Sequence, residues 1–169
     1  MKYTNEEFKN IVKDIISNET IQSLRLYKHH YGSNRYEHSL SVAYNSYRIC
    51  KFLDLDHVSA ARAGLLHDLF LYDCENPETR PQNHIKEHPK VSLTNAEKLF
   101  VLNDMEKDII LKHMWPVTIR FPKYPESFVV TFVDKYSALK ESYDFYISYL
   151  EKKKLYRYAY IFLSLLILV

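Results

Sequence analysis

The sequence predicts an all-α protein with a single domain, and three observations support this prediction. The chain has 169 residues, which is near the usual size of one domain. It contains two Gly and six Pro, too few of the turn-forming residues that a fold of many short strands needs. Apolar residues recur three or four positions apart along most of the chain, which is the spacing of α-helices with one buried face.

The first half of the chain is predicted to form four helices, over about residues 5–17, 20–30, 38–53 and 56–69. The segment from Thr4 to Glu7 has the form of a capping box ahead of the first helix. Gly32 supplies the conformation that the end of the second helix needs. The fourth helix is small or apolar almost all round, so we expect it to lie at the centre of the fold.

The second half contains a predicted loop at 73–86 and helices over about 91–101, over 103–113 and from Pro125 onward. The loop holds Pro77 and Pro81, has no apolar period, and is long enough to act as a lid. Pro89 suits the first turn of the helix that follows. Pro116 ends the next helix, because proline cannot continue one.

The C-terminal segment departs from this pattern. Residues 161–169 are apolar except for Ser164, and they follow the basic run 152–154. A helix over residues 155–169 would be about 22 Å long, since each residue adds about 1.5 Å. This is less than the roughly 30 Å thickness of the hydrocarbon core of a bilayer. We therefore expect a helical domain over 1–151 and a tail over 152–169. Packing of the tail against the domain or a second subunit is favoured, and membrane association through the basic run is the alternative.

The composition excludes several classes of protein. Apolar residues make up 47% and charged residues 26% of the chain, so neither a disordered protein nor a uniformly hydrophobic membrane bundle fits. The formal net charge is +2, so we expect no nucleic-acid partner, and any anionic ligand must be held locally. Cys50 and Cys74 form no CxxC pair, and the N-terminal segment lacks the apolar run of a secretory signal. These features predict a cytoplasmic protein.

Several histidines and acids fall at predicted helix ends or on apolar faces. They are His38, His67, Asp68, His88, His113 and Asp134. An unpaired buried polar group costs roughly 2–7 kcal/mol, and a divalent metal would satisfy all of them together. Taken singly, each is more often a cap or a hydrogen-bonded side chain than a ligand. His29, His30 and His57 are interpreted as surface or capping residues, and His84 as an exposed loop residue rather than a partner of a metal ligand.

The order of these residues, H…HD…H…H…D, resembles that of the HD-domain superfamily of metal-dependent phosphohydrolases over about residues 35–141. Local strings are similar to one bacterial branch: RYEHSLSVAYNSYRI, AARAGLLHDLFLYD, HPKVSLTNAEKLF, EKDIILKHMWPVT and VVTFVDKYSALKE. The resemblance implies a helical bundle with a metal centre in its core. One metal would be held by His38, His67, Asp68 and Asp134. Asp68 would bridge to a second metal held by His88 and His113.

The resemblance also implies hydrolysis of a phosphate ester through metal-activated water, with His67 and Asp68 as the catalytic pair. Imidazole and carboxylate ligands without thiolate suit one or two ions of Fe, Mn, Co, Ni or Zn. Arg35, Lys112 and Lys135 are candidates to meet the phosphate of a small substrate, with a nucleotide the leading example. The HDxGK and GYP strings of other branches are absent. The alternative is a non-catalytic, metal-bearing nucleotide sensor or interaction module, and the oligomeric state is left open.

Aromatic residues follow two of the motif positions. Phe70 and Tyr72 come just after Asp68, and Trp115 comes just after His113. Such rings could line a wall for a planar group of a ligand. Plain core packing is the favoured interpretation, because that is the usual fate of large aromatic side chains.

Overall fold

The computed structural model describes residues 5–29, 33–152 and 158. The described residues form seven α-helices: α1 (Glu6–Ile16), α2 (Glu19–Ser23), α3 (Arg35–Phe52), α4 (His57–Leu66), α5 (His84–Leu99), α6 (Asp104–Lys112) and α7 (Pro125–Lys152). Lys28 and Asn34 form an isolated antiparallel bridge, and these residues contain no β-strand. The prediction of an all-α fold is confirmed.

Helix α4 lies at the centre of the fold, as its composition predicts. Ala60, Ala63 and Leu65 are fully buried, and α1, α3, α5, α6 and α7 all contact this helix. At Gly64 the backbone of α3 comes so close that a Cβ atom would lie 3.0 Å from Cα of Ala43. The small residues of α4 therefore let α3 pack directly on it, and the end of α4 carries His67 and Asp68 into the core.

The other helices pack their apolar faces around α3 and α4. Phe8, Val12 and Ile15 of α1 are buried against α4, which matches the apolar spacing of the first predicted helix. Ile109 and Val130 bring α6 and α7 into the same core. The ends of α4 and α6 and the middle of α7 consequently converge on one side of the domain.

The second predicted helix is shorter than the sequence indicates. Helix α2 and a 3-10 turn over Leu24–Leu26 end before Tyr27, which has an extended backbone. Arg35 then donates its backbone N–H to the carbonyl of Tyr27, and His29 donates to that of Ser33. The prediction of a helix to residue 30 is therefore wrong, because the chain turns back on itself to begin α3. His30 lies outside the described residues.

Helix α5 begins earlier than predicted. It starts at His84 and includes Pro89 in its second turn, where the ring removes one backbone hydrogen bond without ending the helix. The predicted loop over 73–86 therefore ends before His84. His84 and His88 become neighbours one helical turn apart, with ring centroids separated by 4.6 Å.

The C-terminal expectations concern residues that are mostly outside the described ones. Helix α7 continues to Lys152, whereas 153–157 and 159–169 are not described. The tail and the boundary at 151 stay predictions. Across the part of the chain that the structure describes, no helix combines the length and the apolar character needed to cross a membrane.

Replacement of Asn103 by Ala should destabilise the domain. Oδ1 of Asn103 accepts from the N–H of Glu106, while Glu106 accepts in turn from the N–H of Asn103, each at 2.8 Å. Loss of such a cap costs about 0.5–2 kcal/mol. The melting temperature, measured by circular dichroism, should fall by roughly 1–8 °C, at about 2–4 °C per kcal/mol for a domain of this size. Asn103→Ser, which retains a capping oxygen, should melt close to wild type; equal losses in both variants would contradict this role.

Candidate metal centre

The structure brings the six motif residues together in the core. His38 lies in the first turn of α3, His67 and Asp68 follow α4, and the others lie in or at the end of α5, α6 and α7. All six are at most 8% exposed. Side chains from five helices thus converge on one buried site, as their order in the sequence predicts.

The first group of ligand atoms surrounds Asp134. Oδ1 of Asp134 lies 3.1 Å from Nε2 of His38 and 3.5 Å from Nε2 of His67. Oδ2 of Asp68 lies 3.7 Å from the same nitrogen of His67. Two imidazoles and two carboxylates therefore face one point, which suits a transition metal.

The second group lies on the other side of Asp68. Oδ1 of Asp68 is 3.4 Å from Nε2 of His88 and 3.5 Å from Nε2 of His113. Oδ2 of the same carboxylate faces His67. Asp68 therefore offers one oxygen to each group, which is the arrangement of a carboxylate that bridges two ions.

Hydrogen bonds to the backbone fix the tautomers of three of these histidines. Nδ1 of His67 lies 2.8 Å from the carbonyl of Gly64, and Nδ1 of His113 lies 2.8 Å from that of Ile110. Nδ1 of His88 lies 2.9 Å from the carbonyl of His84. A carbonyl only accepts, so Nδ1 must donate in each ring, and the neutral ring carries its lone pair on Nε2. Each Nε2 is thereby prepared to bind a metal.

Two features of the site fit a cation and are costly without one. Nε2 of His88 and Nε2 of His113 are 2.9 Å apart, so the lone pairs of two neutral rings face each other. Within the described residues, Nε2 of His67 and Oδ1 of Asp68 are buried without a hydrogen-bond partner. Unsatisfied buried groups of this kind cost free energy. The residues present therefore fit a divalent metal on each side of Asp68.

The histidines of the two groups differ in charge. Burial alone would lower the pKa of His38, but hydrogen bonds to Asp134 and Glu141 outweigh it and raise that pKa to about 9. Burial, aided by repulsion from His67, lowers the pKa of His113 to about 3. Burial likewise lowers the pKa of His88. Without a metal, His38 is protonated at neutral pH, whereas His88 and His113 are neutral.

Metal binding should depend on pH at the first group and much less at the second. Below about pH 9, a metal must displace a proton from His38, so first-group affinity should rise at least about tenfold per pH unit. Asp68 and Asp134 also raise the pKa of His67, so the rise should be steeper where His67 is protonated. His88 and His113 hold no proton that a metal must displace near neutral pH. Calorimetric titration of Mn²⁺ from pH 6 to 8, in buffers of different ionisation enthalpy, counts the released protons. Equal pH dependence for both ions would contradict this assignment.

Two residues of the site, His29 and Glu141, are not predicted from the sequence. His29, interpreted as a surface residue, is only 11% exposed at its side chain, and its Nε2 lies 3.5 Å from Oδ2 of Asp68. Glu141 lies 2.9 Å from Nδ1 of His38. Glu141 falls seven residues after Asp134, two helical turns along the same face of α7, so the helical period could have found it. No comparable signal marks His29, which lies in an irregular segment.

His57 and His84 lie outside the six motif positions, and only His57 has the predicted environment. His57 contacts Glu7 at 3.1 Å and is partly exposed, in agreement with a surface role. The interpretation of His84 as an exposed loop residue is wrong, because it lies in α5 and stacks on His88. Its Nδ1 lies 2.9 Å from the hydroxyl of Tyr72. Burial lowers the pKa of His84 to about 4, so the ring is neutral.

The three predicted phosphate-binding cations lie in different environments. Arg35 is fully buried, and its guanidinium donates to the carbonyls of Phe70 and Tyr72, so it holds the segment after Asp68 in place. Lys112 pairs with Asp108 of its own helix. Lys135 lines the cavity above the site. A role in binding phosphate stays a prediction for all three, and the position of Lys135 favours it most.

A cavity of about 1040 Å³ opens above the two groups. Asp68, His88, His113 and Asp134 line its floor. Its wall carries four cations in addition to the histidines, and these are Arg25, Lys28, Arg80 and Lys135. Phe70 also lines it, whereas Trp115 packs edge-on against Phe121 and Phe128. The cavity combines a polar floor with a wall whose charged side chains are mainly basic.

Comparison with models of protein families gives a match to the HD domain over residues 35–139. This range covers more than half of the chain and contains all six motif residues. Comparisons with curated proteins and with solved structures give no match. Similarity to one bacterial branch stays a prediction. HD domains bind divalent metals and are generally hydrolases, in keeping with the buried His and Asp groups described above. The chain belongs to the HD domain family.

Proposed function

We propose that this protein is a metal-dependent phosphohydrolase that cleaves a phosphate ester of a nucleotide or another small phosphorylated metabolite. The observation that carries this proposal is the position of Asp68, whose two oxygens face different histidine groups at the floor of a cavity. His38, His67, Asp68 and Asp134 would hold one ion, and Asp68, His88 and His113 the other. Bound divalent metals supply an acidified water and neutralise negative charge on a phosphoryl oxygen.

The charges of the cavity wall favour an anionic substrate. Arg25, Lys28, Arg80 and Lys135 line the wall together with one carboxylate outside the metal groups, that of Glu75. Glu75 is itself paired with Lys28. A concave surface lined mainly by one sign of charge concentrates ligands of the opposite sign.

Lys135 is the cation best placed to meet a phosphate beside the metal groups. Its ammonium donates to Oδ2 of Asp134 and to the carbonyl of His113, at 2.9 and 2.8 Å. These contacts hold a positive charge between the two groups. The third donor faces Sδ of Met114 at 3.9 Å, and a thioether is a weak acceptor that a substrate oxygen would replace. Lys135 would then neutralise charge on the phosphate as its bond to the leaving group breaks.

The size of the cavity supports a nucleotide or a ligand of similar size. Sites for small molecules commonly have volumes of about 300–1,000 Å³. The cavity of about 1040 Å³ lies at the upper end of that range, and Phe70 and Ile85 add apolar surface to its wall. A phosphate at the floor would leave room for a larger organic group toward the rim.

Turnover by metal-reconstituted protein tests the proposed function. The full chain is stripped of metal, reloaded separately with Mn²⁺, Fe²⁺, Co²⁺, Ni²⁺ or Zn²⁺, and assayed against phosphomonoesters, phosphodiesters and a nucleotide panel. We expect phosphate or nucleotide release that requires metal and is lost in His67→Ala and Asp68→Ala. His57→Ala, which removes a histidine outside the site, is the control. Tight nucleotide binding without product would instead favour the sensor.

A further inference from the structure

Two residues outside the motif, His29 and Glu141, meet at the first metal group. The Glu141 carboxylate lies between two imidazoles. Its Oε1 is 2.9 Å from Nδ1 of His38, and its Oε2 is 3.4 Å from Nδ1 of His29. Ser33 donates its hydroxyl to Oε2 at 2.7 Å. One carboxylate therefore holds both rings, with a different oxygen facing each.

The two rings are stacked and point the same way. Their centroids are 3.8 Å apart, and their planes differ by 23°. An ionised carboxylate only accepts hydrogen bonds, so Nδ1 of each ring donates to Glu141, and Nε2 is the ring nitrogen left to bind a metal in place of a proton. Nε2 of His38 faces Asp134 at 3.1 Å, and Nε2 of His29 faces Asp68 at 3.5 Å.

The separations suit ligands of a single ion. Two atoms bound at about 2.1 Å to the same metal lie roughly 3.0–3.4 Å apart in octahedral or tetrahedral geometry. The distance from Nε2 of His38 to Oδ1 of Asp134, 3.1 Å, lies within this range, and that from Nε2 of His29 to Oδ2 of Asp68, 3.5 Å, lies just above it. His29 also lines the cavity, so its ring borders both the buried group and the space above it.

We propose that His29 is a seventh metal-binding residue of this site, and that Glu141 is the positioning residue that orients His29 and His38 together. The proposal deepens the proposed function and rests on its metal centre. It extends the first ligand group to five side chains, His29, His38, His67, Asp68 and Asp134. The first ion would then be bound by more protein ligands than the second.

Metal affinity measured without substrate tests this proposal. The full chain is stripped and titrated with Mn²⁺ and Co²⁺ against a chromophoric chelator, and the site lost in His113→Ala identifies the second ion. We expect His29→Ala and Glu141→Ala to raise the Kd of the first ion by about 10–100-fold and to leave that of the second unchanged. Glu141→Gln, which retains one accepting oxygen, should have an intermediate effect and guards against misfolding of the Ala variant. The visible spectrum of bound Co²⁺ should change in His29→Ala, because it reports the number of ligands.

Matched controls separate this effect from a general loss of stability. His57→Ala removes a histidine that contacts Glu7 outside the site, and Glu151→Ala removes an exposed carboxylate from the same helix as Glu141. Both should bind both ions like wild type. A wild-type Kd and Co²⁺ spectrum in His29→Ala would overturn the ligand assignment, and an unchanged Kd in both Glu141 variants would overturn the positioning role. Wild type that binds two ions without any turnover would contradict the proposed function alone.

Discussion

Replacement of Asp68 by Asn should remove both metals from the protein. The change retains the shape of the side chain but replaces one oxygen by an NH₂ group, which donates hydrogen bonds and cannot bind a cation. In either orientation of the amide, one ligand group loses its oxygen from residue 68. The loss of the negative charge also weakens the binding of both metal ions. If metals supply at least about 4 kcal/mol of transition-state stabilisation, kcat/KM should fall by about 10³-fold or more. Elemental analysis and steady-state assays measure the two effects.

Comparison with two other variants makes this result specific. His113→Ala should deplete mainly the second ion, because His113 contacts Asp68 on the Oδ1 side only. Asp73→Asn makes the same chemical change at an exposed position five residues along the chain and should leave metal content and turnover unchanged. Chelators should lower the melting temperature of wild type, since metal binding to the folded state adds to its stability. Equal metal content in Asp68→Asn and His113→Ala would refute the bridging assignment.

Replacement of Gly64 by Val should give the largest loss of stability. A Cβ atom at this position lies 3.0 Å from Cα and 3.3 Å from the nitrogen of Ala43, and backbone atoms cannot move aside as a flexible side chain does. Overpacking of this kind costs about 1–3 kcal/mol, or more where helices must separate. Val adds two further methyl groups, so its cost should lie at the upper end of this free-energy range. The melting temperature should then fall by roughly 4–12 °C.

The same substitution should weaken metal binding. The carbonyl of Gly64 accepts from Nδ1 of His67 at 2.8 Å, so a shift of α4 away from α3 also turns the ring of His67. Thermal denaturation and titration with Mn²⁺ measure the two consequences in one preparation. Val58→Leu, which enlarges a side chain that is 40% exposed on the same helix, should change neither. A Gly64→Val protein that melts like wild type would show that the two backbones can separate at little cost.

Much of the site could be predicted from the sequence because its residues occupy helix ends or apolar helix faces. The apolar periods located α3, α4, α6 and α7 well enough to place His38, His67 and His113 near helix ends and Asp134 on the apolar face of α7. Small residues in α4 identified the central helix, since only such residues allow its neighbours to approach closely. The burial of a whole set of polar side chains then indicated a shared cation.

The remaining parts depended on contacts that no local pattern encodes. His29 lies in an irregular segment, where Lys28 forms a bridge with Asn34, and its Nε2 lies 3.5 Å from Oδ2 of Asp68. Pro89 suggested too late a start for α5, because proline is favoured in a first turn yet is also tolerated further into a helix. Because α5 was expected to begin later, the sequence did not predict that His84 and His88 lie one helical turn apart and stack. The sequence predicts Arg35 as a candidate phosphate-binding residue, whereas in the structure its guanidinium is buried and donates to the carbonyls of Phe70 and Tyr72.

The central claim is that Asp68 bridges two metal ions, and anomalous diffraction from crystals grown with Mn²⁺ tests it most directly. We expect two anomalous peaks on opposite sides of the Asp68 carboxylate, about 3.5–4 Å apart. One peak should lie beside His38, His67 and Asp134, and the other beside His88 and His113. Mn²⁺ bound only elsewhere on the protein, with no anomalous peak beside Asp68, would contradict it.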